Sequence, residues 1–117
     1  MKYFERLDNA NNQEFVADFK TKYGANSLVG DVTQAAYLGP WLWKAAVEQA
    51  GSFDVDKVVA ASPNLELTTA PEGYVKVHPN HPLWSTTRIG QVQQDGKFKD
   101  LFDSGLNAPN PSPKSHK

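Results

Sequence analysis

The sequence predicts an α+β chain in which three helices come first and a small antiparallel β portion follows. Apolar residues recur at helical spacing before Pro63, and short β-like runs separated by turn formers replace them after it. The Asp95-Gly96 pair between two of these runs is typical of a β-hairpin. The length of 117 residues fits one domain.

The first helix is predicted from Asn11 to Gly24. Asn11 followed by Glu14 indicates a helix start, and Gly24 indicates its end. Its apolar face consists of aromatic residues four apart: Phe15, Phe19 and Tyr23.

The second helix is predicted from Asp31, as N-cap, to Ala50, with Gly51 ending it. Pro40 lies inside it and removes the hydrogen bond to the Ala36 carbonyl, a defect of about 3 kcal/mol. We therefore expect a kinked helix bent around a neighbour. The face expected to pack against that neighbour contains Val32, Ala35, Ala36, Gly39, Leu42, Trp43, Ala46, Val47 and Ala50.

Tyr37 and Trp41 are the candidate ligand-binding residues. They lie one turn apart on the other side of the second helix, and two aromatic side chains at this spacing form a patch suited to a small polar ligand. The alternative is that both pack against a neighbouring helix or the C-terminal tail.

The third helix follows Ser52 or Asp54, either of which can cap it, and ends before Pro63. The strands are predicted in LELTT, YVKV and a hairpin over residues 86–102. Strict alternation fails within the hairpin, and Gly90 indicates a β-bulge at that point. Residues 1–104 form the predicted domain, and the polar, Pro- and Ser-rich residues 105–117 are predicted to be a disordered tail.

Composition excludes several functional classes. The formal charge of -1 gives no field that would attract nucleic acid, and the absence of cysteine removes thiol catalysis and disulfides. No apolar run reaches the roughly eighteen residues that span a bilayer, so no membrane insertion is expected. The first residues lack the apolar core of a signal peptide, so the chain as written is expected to be cytoplasmic.

The sequence gives little support for a catalytic site or a metal site. His78 and His81 could be two ligands of a metal, but zinc sites use three or four, and a solvated proline-rich turn explains both residues. No nucleophile motif or phosphate-binding glycine loop is present, and the carboxylates near turns are expected to be solvated. We therefore expect no enzyme activity, no metal and no cofactor.

Five passages in a fixed order resemble one family. They are a helix ending in KYG, then AAYLGPWLWKAAVEQAG, SFDVDKVVAA, APEGYVKVHPNHPLW and RIGQVQQDGKF. Over roughly residues 3–103 the chain resembles the C-terminal part of a type I periplasmic solute-binding protein of the urea and short-chain amide group, which delivers its ligand to an ABC importer. The combination is specific, although each passage alone is weak.

The resemblance implies a fold and a function. Family members are periplasmic and enclose a ligand between two α/β lobes; the matching region is the last pass through one lobe and the return to the other. The chain is thus expected to be a truncated relative for which urea or a small polar amide is the implied ligand, with capture lost or incomplete because one wall is missing. Because the chain lacks the sheet that would cover its apolar helix faces, we expect a homo-oligomer. The alternative function is a self-associating interaction module without a small ligand.

Overall fold

The computed structural model describes residues 1–110 and confirms three helices followed by a four-stranded antiparallel sheet. The elements in chain order are α1 (Ala10–Tyr23), α2 (Asp31–Ala50), α3 (Val55–Ala61), β1 (Glu66–Leu67), β2 (Val75–Val77), β3 (Leu83–Val92) and β4 (Phe98–Asn107). The strands lie in the order β1-β2-β3-β4, so each pairs with its neighbour in the chain.

The N-cap of α1 is Asn9, and the prediction of Asn11 was wrong. Asn9 has extended backbone angles, φ -145° and ψ 153°, and its side-chain oxygen accepts the backbone N–H of Asn12 at 2.8 Å. Asn11 already lies within the helix, where its side chain donates to the Thr68 carbonyl at 2.7 Å. Several asparagines in succession offer alternative caps, and tertiary contacts hold two of them: Asn9 Nδ2 also donates to the Pro71 carbonyl at 3.1 Å.

Helix α2 runs without a break through Pro40 and ends, as predicted, at Gly51, which has a left-handed φ of 65°. Its N-cap is Gly30, which has no side chain to cap the helix, so the prediction of Asp31 was wrong. Asp31 instead occupies the first turn, where its negative charge interacts favourably with the helix dipole. The kink at Pro40 stays a prediction.

The predicted packing face of α2 was wrong in most of its residues. The buried residues are Gln34, Leu38 and Ala46, whereas Val32 is 81% exposed and Trp43 is 55% exposed. Helical periodicity shows which residues share a face, but the face that becomes buried is the one that the rest of the chain reaches. The surface that covers α2 comes from the sheet and the residues before β2, because Leu38 packs in one cluster with Ala70 and Val75.

Helix α3 follows the prediction closely. Asp54 is its N-cap and accepts the backbone N–H of Lys57 at 3.2 Å, while the Ser52 hydroxyl accepts the N–H of Asp54 at 3.0 Å. The helix ends at Ala61, shortly before Pro63.

The long hairpin of β3 and β4 contains the predicted bulge. Ile89 pairs with Phe102 and Gly90 with Asp100, so Leu101 is the extra residue. Gly90 also allows a close approach, because a Cβ built there would lie 2.7 Å from Cζ of the Phe4 ring. The missing side chain at Gly90 therefore lets the N-terminal segment pack against β3.

The turn of this hairpin is longer than the two-residue turn predicted from Asp95-Gly96. Gln93 N–H donates to the Lys97 carbonyl at 2.8 Å, and Gly96 N–H donates to the Gln93 carbonyl at 3.0 Å. Gly96 has a φ of +78°, which completes the turn. Strand β4 continues through Asn107, into the predicted tail, and residues 111–117 lie outside the described part of the chain.

Two small cores hold the described residues together. One joins the N-terminal segment to α1 through Tyr3, Phe4, Leu7, Phe15 and Val29. The other joins α2 to the sheet through Leu38, Ala70 and Val75. The radius of gyration is 16.0 Å and the extents are 48 × 46 × 18 Å, whereas a compact domain of this length has a radius of about 13 Å. The fold is thus a flat layer that leaves many large apolar side chains uncovered.

Candidate functional site

An open groove of about 710 Å³ lies between α1 and α2, above the end of β1 and the residues that follow it. Its walls are mainly aromatic and aliphatic: Phe15, Phe19, Tyr23, Tyr37, Leu38 and Trp41. Clefts of this size lined by aromatic side chains are typical of small-molecule sites. The groove is therefore the candidate functional site.

Tyr37 and Trp41 both line this groove. Their ring centroids lie 6.0 Å apart in an edge-to-face arrangement, which follows from their i, i+4 spacing on α2. Tyr37 is 40% exposed and Trp41 is 45% exposed, so each ring keeps free surface. Their role as ligand contacts stays a prediction.

For Tyr37, the structure also gives support to the alternative that it packs against a neighbouring helix. The Tyr37 ring lies 4.4 Å from the Phe15 ring of α1, centroid to centroid, so it packs against the neighbouring helix as well as lining the groove. The aromatic row continues along α1, with 6.2 Å between Phe15 and Phe19 and 4.7 Å between Phe19 and Tyr23. The spacing of these aromatics is visible in the sequence, but that the rows on α1 and α2 face each other is not.

Charged side chains on α1 form the rim of the groove. Glu14, Asp18 and Lys22 recur every four residues, and all three are exposed. The Lys22 ammonium lies 5.5 Å from the centre of the Tyr23 ring, and Lys44, which does not line the groove, lies 5.1 Å from the centre of the Trp41 ring. Within residues 1–110, the charged residues that line the groove are thus two acidic and one basic.

Outside the groove lining, Arg88 connects three segments of the chain. Its Nη2 donates to the Glu72 carbonyl at 2.9 Å, its Nη1 donates to the Lys2 carbonyl, and its Nε lies 3.6 Å from the Asp103 carboxylate. The Arg88 backbone N–H donates to the Met1 carbonyl at 2.7 Å. Arg88 thus fixes the N-terminal segment beside β3. No sequence signal reveals this cluster, because its members are far apart in the chain.

The Glu72 carboxyl is buried in this cluster. Burial raises its pKa above the ordinary value of 4.5, while the charges of Lys2 and Arg88 act in the opposite direction. The Gln34 side chain lies beside the Glu72 carboxyl and also lowers its pKa. Within residues 1–110, however, Gln34 Nε2 has no hydrogen bond of ordinary geometry. Glu72, Arg88 and Gln34 are buried, and their contacts hold the loop before β2 in place.

Tyr3 and Asn12 connect the N-terminal segment to α1. The Tyr3 hydroxyl donates to Asn12 Oδ1 at 2.6 Å, and Asn12 Nδ2 donates to the carbonyls of Glu5 at 2.8 Å and Leu7 at 2.9 Å. Burial, with a smaller contribution from the charge of Glu5, raises the pKa of the Tyr3 hydroxyl above its ordinary value. This contact positions the N-terminal end of α1, which forms one wall of the groove.

The two histidines considered as metal ligands lie in the turn after β2. His78 Nδ1 accepts the backbone N–H of Asn80 at 3.2 Å, and His81 Nδ1 lies 3.4 Å from the Ser62 hydroxyl. Across residues 1–110, no group of three or more His, Cys, Asp or Glu side chains is arranged to hold a metal ion. Over the same residues, no helix combines the length and apolar character needed to cross a membrane.

A family model described as a periplasmic binding protein domain matches residues 1–115. The chain belongs to this family. Membership places the groove in a domain of the periplasmic-binding-protein family, and the role in an ABC importer stays a prediction. The urea and amide subgroup, and the location of this chain itself, stay predictions.

Solved structures of periplasmic binding proteins show the same fold. Three are ABC-transporter solute-binding proteins from Rhodopseudomonas palustris. The one from strain BisB5, in complex with 3,4-dihydroxybenzoic acid, is 23% identical with a TM-score of 0.77, and the match covers 87% of this chain and 29% of that one. A second, in complex with benzoate, is 24% identical with a TM-score of 0.76 (97% of this chain, 30% of that one), and a third, from strain HaA2 in complex with p-hydroxybenzoic acid, is 26% identical with a TM-score of 0.73 (87% of this chain, 29% of that one). The described helices and sheet are thus a piece of the periplasmic-binding-protein fold, and the chain spans less than a third of each of these structures.

One curated relative has the name of an enzyme. A protein of Geobacillus stearothermophilus named limonene hydroxylase is 30% identical over 102 residues, which cover 87% of this chain and 19% of that protein. The chain therefore spans about a fifth of that relative's length. The family itself is a solute-binding one.

Proposed function

We propose that the chain forms one wall of the solute site of an ABC-importer binding protein, and that this wall holds a small planar amide or urea against Tyr37 and Trp41. The observation that carries the proposal is the 710 Å³ groove, on which both aromatic side chains keep exposed surface. Tyrosine and tryptophan each combine an apolar ring with one polar group, which suits a ligand that is flat and forms hydrogen bonds.

The size of such a ligand limits its affinity. Urea and acetamide each have four non-hydrogen atoms, so the upper limit of about 1.5 kcal/mol per atom gives about 6 kcal/mol, or a Kd near 40 µM. The groove is open on one side, and in the family two lobes enclose the ligand. We therefore expect a Kd of about 1 mM for the chain alone.

Aromatic carboxylates are the second candidate ligands, because three similar solved structures contain aromatic acids. The aromatic walls of the groove suit a benzene ring. The rim does not suit the carboxylate, because Glu14 and Asp18 outnumber Lys22 among the charged lining residues of the described chain. Charge therefore favours a neutral amide over a benzoate.

A second function, self-association, is favoured by the uncovered apolar side chains. Val32, Phe53 and Val55 are each exposed over about three quarters of their surface or more, at 81%, 77% and 74%. Burial of each such side chain against a second copy would contribute about 1.5–3 kcal/mol. We expect a homo-oligomer by light scattering at micromolar concentration; a monomer that unfolds cooperatively would contradict this second function.

Saturation-transfer NMR tests the solute site, since it detects millimolar binding. The probes are the methyl protons of acetamide and N-methylurea and the ring protons of benzoate. We expect transfer to both amides, a loss of at least threefold in affinity in Tyr37→Ala and Trp41→Ala, and little change in Trp43→Ala. Trp43 is the matched control because it is an exposed tryptophan of α2 that does not line the groove.

Three results would count against this solute site. They are stronger transfer to benzoate, transfer to no probe, or an equal loss in Trp43→Ala.

A further inference from the structure

We propose that the groove prefers a planar cation of the guanidinium or amidinium type over neutral urea. This inference rests on the proposed solute site and names the class of ligand that the site selects. Guanidinium has the flat shape and size of urea, with a third nitrogen in place of the oxygen. The difference between the two ligands is therefore mainly one positive charge and additional N–H donors.

A pair of carboxylates on the rim favours a cation. Glu14 and Asp18 lie one turn apart on α1, and both line the groove. Among the described residues, neither takes part in an ion pair within 4.0 Å. Two carboxylates without a cationic partner can accept hydrogen bonds from a guanidinium, with both donor and acceptor charged. The N–H groups of neutral urea form weaker hydrogen bonds to the same carboxylates.

The aromatic walls already hold cations of the chain itself. Lys22 lies 5.5 Å from the centre of the Tyr23 ring, and Lys44 lies 5.1 Å from the centre of the Trp41 ring. Both rings line the groove. Aromatic faces attract cations through their quadrupole, and guanidinium adds planar stacking to this attraction. The groove thus combines negative charge with aromatic rings, a type of group that attracts cations.

These two interactions set the expected selectivity. In an exposed site, a cation–π contact and an ion pair with a partly screened carboxylate each contribute modestly to the free energy of binding. We therefore expect guanidinium to bind about three- to tenfold more tightly than urea. Lys22 is an internal competitor for the same wall. Its removal in Lys22→Gln is expected to increase the selectivity further, because the groove lining loses a positive charge.

The experiment compares two ligands of one shape, methylguanidinium chloride and N-methylurea, at matched ionic strength. Both have a methyl group that saturation-transfer NMR detects, and both are titrated into the complete 117-residue chain. The variant is Glu14→Gln/Asp18→Asn, which keeps side-chain size and changes only exposed positions. Asp56→Asn, an exposed carboxylate on α3 away from the groove, is the matched control.

We expect methylguanidinium to bind about three- to tenfold more tightly than N-methylurea in the wild-type and Asp56→Asn chains. In the double variant, the ratio of the two affinities should be near one, and the affinity for N-methylurea itself should change less than about twofold. If N-methylurea binds and methylguanidinium binds no more tightly, the cation preference is wrong and the solute site stands. If neither ligand binds, both are wrong. A preference that persists in the double variant would overturn the assignment to Glu14 and Asp18.

Discussion

The rings of Phe15 on α1 and Tyr37 on α2 lie 4.4 Å apart, centroid to centroid, and this contact connects the two helices that form the groove. Phe15 is buried and anchors the first core cluster, whereas Tyr37 keeps 40% of its surface exposed. One side of the contact thus belongs to the core and the other to the candidate site. Changes in the core should therefore reach the groove.

Phe15→Ala is expected to lower the free energy of unfolding by about 3–5 kcal/mol, because it leaves a cavity beneath Tyr37. Thermal unfolding measures the loss. Phe53→Ala is the matched control, since Phe53 is largely exposed and should change stability by less than about 1 kcal/mol. Equal losses in the two variants would show that Phe15 is not a core anchor.

Two glycine substitutions should differ in their effects on stability. A Cβ at Gly90 would lie 2.7 Å from the Phe4 ring, so Gly90→Ala is expected to cost about 1–3 kcal/mol through overpacking. A methyl group at Gly39, inside α2, would meet no atom of another described segment within 4 Å, but it would crowd the ring of Pro40, the next residue. This crowding offsets the gain in helix propensity, so Gly39→Ala is expected to change stability by less than about 0.5 kcal/mol. Thermal unfolding measures both. Stabilisation by Gly90→Ala would contradict the close approach of the N-terminal segment to β3.

Tyr3→Phe is expected to destabilise the chain by about 1–3 kcal/mol, because it leaves the buried Asn12 Oδ1 without its donor. Asn12→Ala should cost more, since it also removes the donor to the carbonyls of Glu5 and Leu7. Thermal unfolding compares both with Tyr23→Phe, where an exposed tyrosine loses the same hydroxyl. If Tyr3→Phe is as neutral as this control, the Tyr3–Asn12 hydrogen bond does not stabilise the fold.

Glu72 should give the stability a specific dependence on pH. Its pKa is raised in the folded chain, chiefly by burial, so the folded state holds the proton more tightly than the unfolded state. The resulting stabilisation is fully present below the ordinary pKa of 4.5 and is lost as the pH rises through the higher folded value. Lys2, Arg88 and Asp31 are the charged groups that act on this carboxyl.

Glu72→Gln removes this dependence. The difference in unfolding free energy between the wild-type and variant chains should change as the pH rises above 4.5, in favour of the variant. Denaturation at a series of pH values measures it, with Glu48→Gln as the control at an exposed carboxylate. A difference that does not vary with pH would mean that the Glu72 pKa is not raised.

Local patterns in the sequence predict most of the secondary structure. The four-residue spacing of Phe15, Phe19 and Tyr23, the cap at Asp54 and the hairpin around Asp95-Gly96 each depend on neighbouring residues, and the structure agrees in element type. The same patterns place Tyr37 and Trp41 one turn apart on one helix.

Features that depend on distant residues could not be predicted in this way. The buried side of α2 is determined by contact with Ala70 and Val75, so Gln34 is buried while the more apolar Val32 is exposed. The Arg88 cluster joins residues 2, 72 and 88, and no local spacing connects them. The groove itself exists because two aromatic rows from different helices meet, which only the three-dimensional arrangement reveals.

The side-chain indole signals of the three tryptophans test the central claim most directly. In ¹H–¹⁵N spectra of the chain titrated with urea to about 20 mM, we expect the Trp41 indole N–H and the Tyr37 amide to shift saturably, with a Kd of about 1 mM. The indole signals of Trp43 and Trp84, which do not line the groove, should stay in place. Shifts at Trp43 or Trp84 without one at Trp41, or no saturable shift at all, would contradict the assignment of the groove as a solute site.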